Sequence, residues 1–521
     1  MKLFYPDFFN DVFGPIMQPG SSSSFAGTSR VGRVAAHTIK SPLKRAKIAF
    51  NPDDARDLQQ LGNMMEDSGF LGGLQDFMPD DERLFSAHKL AREKNISYEF
   101  TVLKNNNGYP ASVQIEVTGT NGESGSITGE SIGGGMISIY EINGFPVSWQ
   151  GDTYALLVIN PEKYKFPDKN NTIVENKMIK NKNGDSAVFI EFSEPPDTSS
   201  FESSDFCVFP ALLPVVSCNG RKEQLFKTAS EWISYSEKEG ISIVDAAIQY
   251  EKNFSLWSEK QIWDYFEHIR SVLNNQIHSL ENLGYENVAD TELLPIYGKF
   301  WNKYRSKSLQ DPITRRIMDY AFSVNAKIPG VKIVPGPMGT GGGYLFSALE
   351  AVREARNISP KKQLEALAVA ASLGAIAFTL SKASGLSGCV GESGVCCAMA
   401  SGAITWMSGG SARQVEAAAS MALQANIGIP CDPIPGGLEF PCLTRTVRAA
   451  VTAPLYADMA LCGIDPLIPY HEMLFAIEKN RQKYSDALCG ADCGVNCTPT
   501  AEKCRQFLST EVMDGKLKYE A

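Results

Sequence analysis

The chain has 521 residues, 43% hydrophobic and 21% charged, a globular composition with room for roughly two to four domains. Its 49 Lys and Arg against 59 Asp and Glu leave a formal net charge of −10. That balance excludes the basic face that nucleic acid or an anionic membrane surface requires; a small-molecule partner is expected, with no nucleic acid and no membrane.

The opening MKLFYPDFFNDVFGPIM places acidic residues inside an apolar run, unlike a secretory signal, and a cytoplasmic location is expected. Residues 1–150 read as an α+β domain. SYEFTVLKNN, SVQIEVTGTNGESG and GMISIYEINGFPVSW alternate in polarity and are joined by Asn-Gly pairs, which predict strands and tight turns. DDERLFSAHKLAREKN predicts a helix capped by Asp80 or Asp81. Residues 151–221 carry further strands around a polar stretch, and predict a small α+β unit of regulatory type, ACT-like or degenerate.

From residue 222 to 521 the periodicity is helical, as in KTASEWISYSEKEG and KQIWDYFEHIRSVLNNQIHSLENL, and a mostly all-α catalytic domain is expected. Its most apolar part, Ala366 to Leu380, falls short of the roughly 20 residues that span a bilayer and reads as a buried core helix. The glycine-rich PGVKIVPGPMGTGGGYLF lacks the Gly-Lys-Ser/Thr of a phosphate-binding loop. It is either a tight helix connection or a loop whose backbone approaches a carboxylate.

Of the twelve cysteines only Cys207 and Cys218 precede residue 389. A disulfide framework is not expected in a cytosolic chain, and a single buried thiol is usually packing. Cys489, Cys493 and Cys497 form a C-x3-C-x3-C ladder that on a helix is either a metal face or an apolar stripe. Cys389, Cys431 and Cys442 each stand beside Gly or Pro at the edge of a predicted helix. Three gathered thiolates can hold three irons of a [4Fe–4S] cluster and leave the fourth open as a Lewis acid; structural zinc is the alternative.

The segments GCVGESG, GIPCDPIPGGLEFPCLTR and YADMALCGI, with FGPIMQPGSSSSFAGTSRVGRVA and SIGGGMISIYEINGF before them, resemble the iron–sulfur-dependent L-serine dehydratases, or L-serine ammonia-lyases, with β and α domains fused. The resemblance implies a [4Fe–4S] cluster on Cys389, Cys431 and Cys442, and β-elimination from a small α-amino acid, by default L-serine to pyruvate and ammonia. Ser22, Ser23 and Arg30 are expected to shape an anion-binding wall for the substrate, with Gly341, Gly342 and Gly343 supplying backbone N–H donors, and Arg30 reads alternatively as a surface or interdomain salt bridge; a homodimer is expected. Ser24 stands where the family has histidine, followed by Phe25, and is the candidate proton acceptor. The family's Gly-His-Gly-Thr segment is absent from residues 50–75, and His37, His88, His268, His278 and His471 lie outside the matched motifs.

A serine hydroxyl of ordinary pKa is a poor base, so another β-substituted amino acid is expected to be a better substrate than free L-serine. Elimination of another substituent, such as the thiol of cysteine (a desulfidase) or that of a modified substrate, is therefore the second reading, and a non-catalytic cluster-bearing sensor the third.

Overall fold

The computed structural model describes residues 4–504 apart from 53–64, 110, 165–171, 218–222, 291–295, 337–340, 382, 433, 435–440 and 489–493. An α+β N-terminal region precedes a mostly helical one. The chain forms two compact units, Gly20–Gly220 on the one hand and Met1–Pro19 with Arg221–Leu508 on the other.

In the unit of residues 20–220, a π-helical turn, Ser22–Gly27, runs into helix α1 (Thr28–Ala36), followed by strand β1 (Leu43–Phe50), α2 (Glu66–Gly73) and α3 (Ala87–Glu93). Asp81 caps the 3-10 turn Glu82–Ser86 that leads into α3, so the expected helix forms in two pieces. Strands β2 (Ser97–Val102), β3 (Val113–Gly119), β4 (Ser124–Gly133), β5 (Met136–Ile142) and β6 (Phe145–Trp149) complete a sheet of order β2-β1-β3-β4-β5-β6. β1 and β2 are parallel, with Ile48 opposite Phe100, and the other pairs are antiparallel.

The β5–β6 hairpin turns on Asn143 and Gly144, at φ 51° and 77°. Both central residues are left-handed, as the primed turn that suits twisted strands demands. β7 (Tyr154–Ile159), β8 (Ile173–Lys180), β9 (Ser186–Phe192) and β10 (Phe206–Phe209) form a second sheet of order β10-β7-β9-β8. The two sheets share one core in which Trp149 packs on Phe209 and Phe189, at ring distances of 5.6 and 6.3 Å. The buried indole N–H of Trp149 donates to Thr153 Oγ1, and that hydroxyl donates to Glu191, so the polar edge of the core is satisfied.

The other unit is built on its N-terminal arm. Phe8 and Phe9 lie in a π-helical turn capped by Asp7, and both rings are fully buried. Phe8 stacks on Tyr250 at 5.3 Å, and Phe9 meets Trp257, Tyr265 and Phe266. The helices are α4 (Ala229–Glu239), α5 (Ile243–Ser255), α6 (Glu259–Ile277), α7 (Ser279–Leu283), α8 (Tyr297–Tyr304), α9 (Pro312–Asn325), α10 (Gly341–Ala355), α11 (Pro360–Leu380), α12 (Ser393–Met407), α13 (Ala412–Asn426), α14 (Cys442–Leu461) and α15 (Tyr470–Leu488). Capping boxes at Ser242, Ser258 and Ser411 begin α5, α6 and α13, each satisfying amide N–H groups that a helix start leaves open.

α12 is apolar almost all round because α10, α11, α13 and α14 pack against it. α11 is longer than its apolar segment suggests: Ser359 and Pro360 start it six residues before Ala366 and bring it to 21 residues. By length and composition it could cross a membrane, yet 78% of its most apolar window is buried inside the protein. The expectation that it falls short of a span is thus corrected, and its place in the core stands.

Candidate active site

In the helical unit Cys389 and Cys442 open elements, and Cys431 lies in the loop after α13. Gly388, at φ 83°, turns the chain into a 3-10 segment, Cys389–Gly391, ahead of α12. A side chain there would be strained and would put Cβ 2.5 Å from the carbonyl oxygen of Ile429. Cys389 N–H donates to that same oxygen at 2.8 Å, and Cys431 N–H donates to Leu488 O at 2.6 Å. Residues 429–431 are thereby tied to both the 3-10 segment and the end of α15. Cys442 is the first residue of α14.

These thiols face one carboxylate. Both oxygens of Glu392 lie 3.9 Å from Cys431 Sγ, and Cys389 Sγ lies 2.9 Å from Ser393 Oγ. Burial pushes the Cys389 thiol up, and the charge of Glu392 adds to it. Cys442 is pushed up to about 12 by burial, then by Glu392 and Cys389, with Lys327 and Arg445 opposing. Lys327 in turn is pushed down to about 8 by burial, partly offset by Cys442.

Arg445 locks the segment. Its Nη1 donates to Pro430 O at 2.6 Å and pairs with the fully buried Asp432, whose second oxygen accepts from Val495 N–H at 2.8 Å. Gly494 permits that contact, since a Cβ there would lie 1.8 Å from Asp432 Oδ2.

Among the described residues no three His, Cys, Asp or Glu side chains are gathered closely enough to hold a single metal ion. The donor chemistry nevertheless fits an iron–sulfur cluster: three cysteines, in a 3-10 segment, the loop after α13 and the start of α14, with Lys327 and Arg445 favouring the thiolate of Cys442 and Arg445 that of Cys389. Of the C-x3-C-x3-C ladder, Cys489 and Cys493 lie outside the described residues, and Cys497 is exposed in a 3-10 turn, Gly494–Cys497.

Gly341, Gly342 and Gly343 open α10 in this unit. A Cβ on Gly342 would meet Val334 O at 2.5 Å and one on Gly343 would meet Gln276 Oε1 at 2.6 Å, so small size serves close packing there. The Cys396 thiol donates to Gly341 O at 3.1 Å, joining the start of α10 to α12.

The serine set belongs to the unit of residues 20–220. Ser21 caps the π-helical turn by accepting from Ser24 N–H, Thr28 Oγ1 donates to Ser24 O, and Ser131 Oγ donates to Ser23 O. Ser22 is buried, Ser23 and Ser24 are half-buried, and Phe25 is fully buried against Phe85. Arg30, only 2% exposed, reaches inward and donates to Gly135 O at 2.6 Å in the β4–β5 turn.

One arrangement escaped sequence reasoning. His88 Nε2 lies 3.0 Å from Asp67 Oδ2 and Nδ1 lies 2.7 Å from Tyr98 OH, an imidazole oriented by a carboxylate. Asp67 and Ser68 open α2, and α2 packs closely on the serine turn: a Cβ on Gly69 would come 2.0 Å from Thr28 Oγ1. Nothing in the spacing of Asp67, His88 and Tyr98 marks them in advance.

Comparison with known proteins finds separate matches to an alpha chain and to a beta chain. The family model described as the serine dehydratase alpha chain matches residues 238–495. The L-serine dehydratase alpha chain of Peptoniphilus asaccharolyticus is 27% identical over 270 residues, 51% of this chain and 91% of that one. The probable L-serine dehydratase beta chain of Bacillus subtilis (strain 168) is 36% identical over 154 residues, 30% of this chain and 68% of that one. L-serine dehydratase 1 of Escherichia coli (strain K12) is 30% identical over 247 residues, 45% of this chain and 53% of that one. The class these matches define is the amino-acid ammonia-lyases, enzymes that eliminate across the α and β carbons of an amino acid. The chain belongs to the iron–sulfur L-serine dehydratase family, with counterparts of the alpha and beta chains fused in one polypeptide.

Proposed function

We propose that this chain is a [4Fe–4S]-dependent lyase that converts L-serine to pyruvate and ammonia. The observation that supports the reading is that Cys389 opens a 3-10 segment, Cys431 lies in the loop after α13 beside Glu392 and Cys442 opens α14, all within the residues that match the alpha-chain family model. Those cysteines would hold the cluster, which when bound supplies a Lewis-acidic iron for the departing hydroxyl. Arg445 and Asp432 hold Cys431 in register with Cys442, and Lys327 and Arg445 supply positive charge beside the thiolates.

Loss of water from L-serine leaves an aminoacrylate that tautomerises and hydrolyses to pyruvate and ammonia. That elimination needs a base for the α-proton. Ser24 stands at the family's position for that base and could serve only with its pKa lowered, while Ser22, Ser23, Arg30 and Gly341–Gly343 are assigned to substrate binding. A second reading gives the proton transfer to His88, because the Asp67 contact orients its ring as a general base requires. The relatives are named for L-serine, which favours L-serine over another β-substituted amino acid. The test is an anaerobic assay of the reconstituted full chain with L-serine, L-threonine and L-cysteine. The proposal expects pyruvate and ammonia in equal amounts from L-serine; sulfide from cysteine with no pyruvate from serine would overturn it.

A further inference from the structure

Glu392 is the one charged residue between Ser384 and Gly402. It sits at the junction of the Cys389 segment and α12, with φ −110° and ψ −86°, and both its oxygens are 3.9 Å from Cys431 Sγ. Gly385 leaves room for this approach: a Cβ there would come 2.8 Å from Glu392 Oε1 and 2.9 Å from Cys431 Sγ.

A carboxylate beside the Cys431 thiol is electrostatically adverse once that thiol ionises, since like charges raise one another's energy. The arrangement becomes favourable when a metal centre stands among the donors, because its positive charge inverts the local balance. A carboxylate is a hard oxygen donor, suited to an iron that carries no fourth thiolate.

Resting on the cluster reading above, we infer that the Glu392 carboxylate is the oxygen donor to the iron that Cys389, Cys431 and Cys442 leave without a thiolate, and that it yields this position to the substrate. The side chain therefore guards the labile iron when no amino acid is bound.

The experiment is Mössbauer spectroscopy of the full chain reconstituted anaerobically with ⁵⁷Fe, as wild type, Glu392→Gln and Glu392→Asp. Iron and sulfide content, and the melting temperature of each iron-free protein, are measured alongside. The wild type is expected to show one distinct iron that changes on addition of L-serine. Glu392→Gln is expected to alter that iron before serine is added and to lose it about tenfold or more faster under mild oxidation, with Glu392→Asp in between. The iron-free melting temperatures separate loss of the donor from loss of the fold. An unaltered distinct iron and rate of loss in Glu392→Gln overturns the inference. If the variants do not fold, four equivalent irons in the wild type, or a distinct iron indifferent to L-serine, overturns it equally. A wild type that takes up no iron and sulfide fails the cluster reading itself, a result distinct from a loaded wild type with indifferent variants.

Discussion

Replacing Asp432 by Asn tests how residues 430–432 are held. The carboxylate is fully buried, its partner Arg445 retains 17% side-chain exposure, and its other oxygen accepts from Val495 N–H. Removing one partner of a buried pair costs about 3–5 kcal/mol because the other charge is left uncompensated. The residual exposure of Arg445 lets water reach the guanidinium, which places the cost near the lower end, about 3 kcal/mol. Urea unfolding of the iron-free protein reads this as a lower midpoint at unchanged slope. A double replacement, Asp432→Leu with Arg445→Met, is expected to recover most of the loss, since neither charge then stays unpaired. A cost for Asp432→Asn below about 1 kcal/mol, or a double variant no better than the single, would show that the pair does not secure this segment.

Other expectations follow from single contacts. Gly388→Ala places a side chain at φ 83° and 2.5 Å from Ile429 O, so it should lower the melting temperature and the reconstituted iron content together; wild-type values of both would contradict the turn. His88→Asn is expected to cut kcat by about 10²-fold or more with little change in KM if the imidazole transfers the proton, whereas an unchanged kcat leaves the role with Ser24. Burial, with the charges of Asp152 and Glu175, raises the Glu191 carboxyl to about 7 although Thr153 opposes it. The folded protein then keeps a proton that the unfolded chain, with an ordinary carboxyl, has released. Stability should accordingly fall as pH rises from about 4.5 to about 7 and level off above, and Glu191→Gln should flatten that slope; an equal slope in the variant would remove Glu191 as its source.

Local signals were readable wherever a few neighbouring residues decide the backbone. Asn143-Gly144 announces its hairpin because only such residues accept two left-handed conformations in succession. The cap at Asp81 and the helical periodicity beyond residue 222 are equally local. The three cysteines stood out through their Gly and Pro neighbours, which end helices, and through motif order. What escaped depends on contacts distant in sequence. The burial of Phe8 and Phe9 against Tyr250, Trp257 and Phe266 joins residues more than two hundred positions apart. The same holds for Asp432 with Val495 and, over a shorter range, for His88 with Asp67. Arg30 reads as part of a substrate-binding wall or a salt bridge, yet an inward path to Gly135 O buries it. The start of α11 was hidden because its first turn, with Lys361 and Lys362, is polar while the signal lay in the Ser359-Pro360 cap.

The central claim is that Cys389, Cys431 and Cys442 hold an iron–sulfur cluster. Iron and acid-labile sulfide, measured per chain after anaerobic purification of the wild type and of Cys389→Ser, Cys431→Ser and Cys442→Ser, test it most directly. About four of each per wild-type chain, falling steeply in every one of the three variants, is the expected result for a [4Fe–4S] cluster. Zinc in place of iron, or full iron and sulfide in all three variants, would contradict the account.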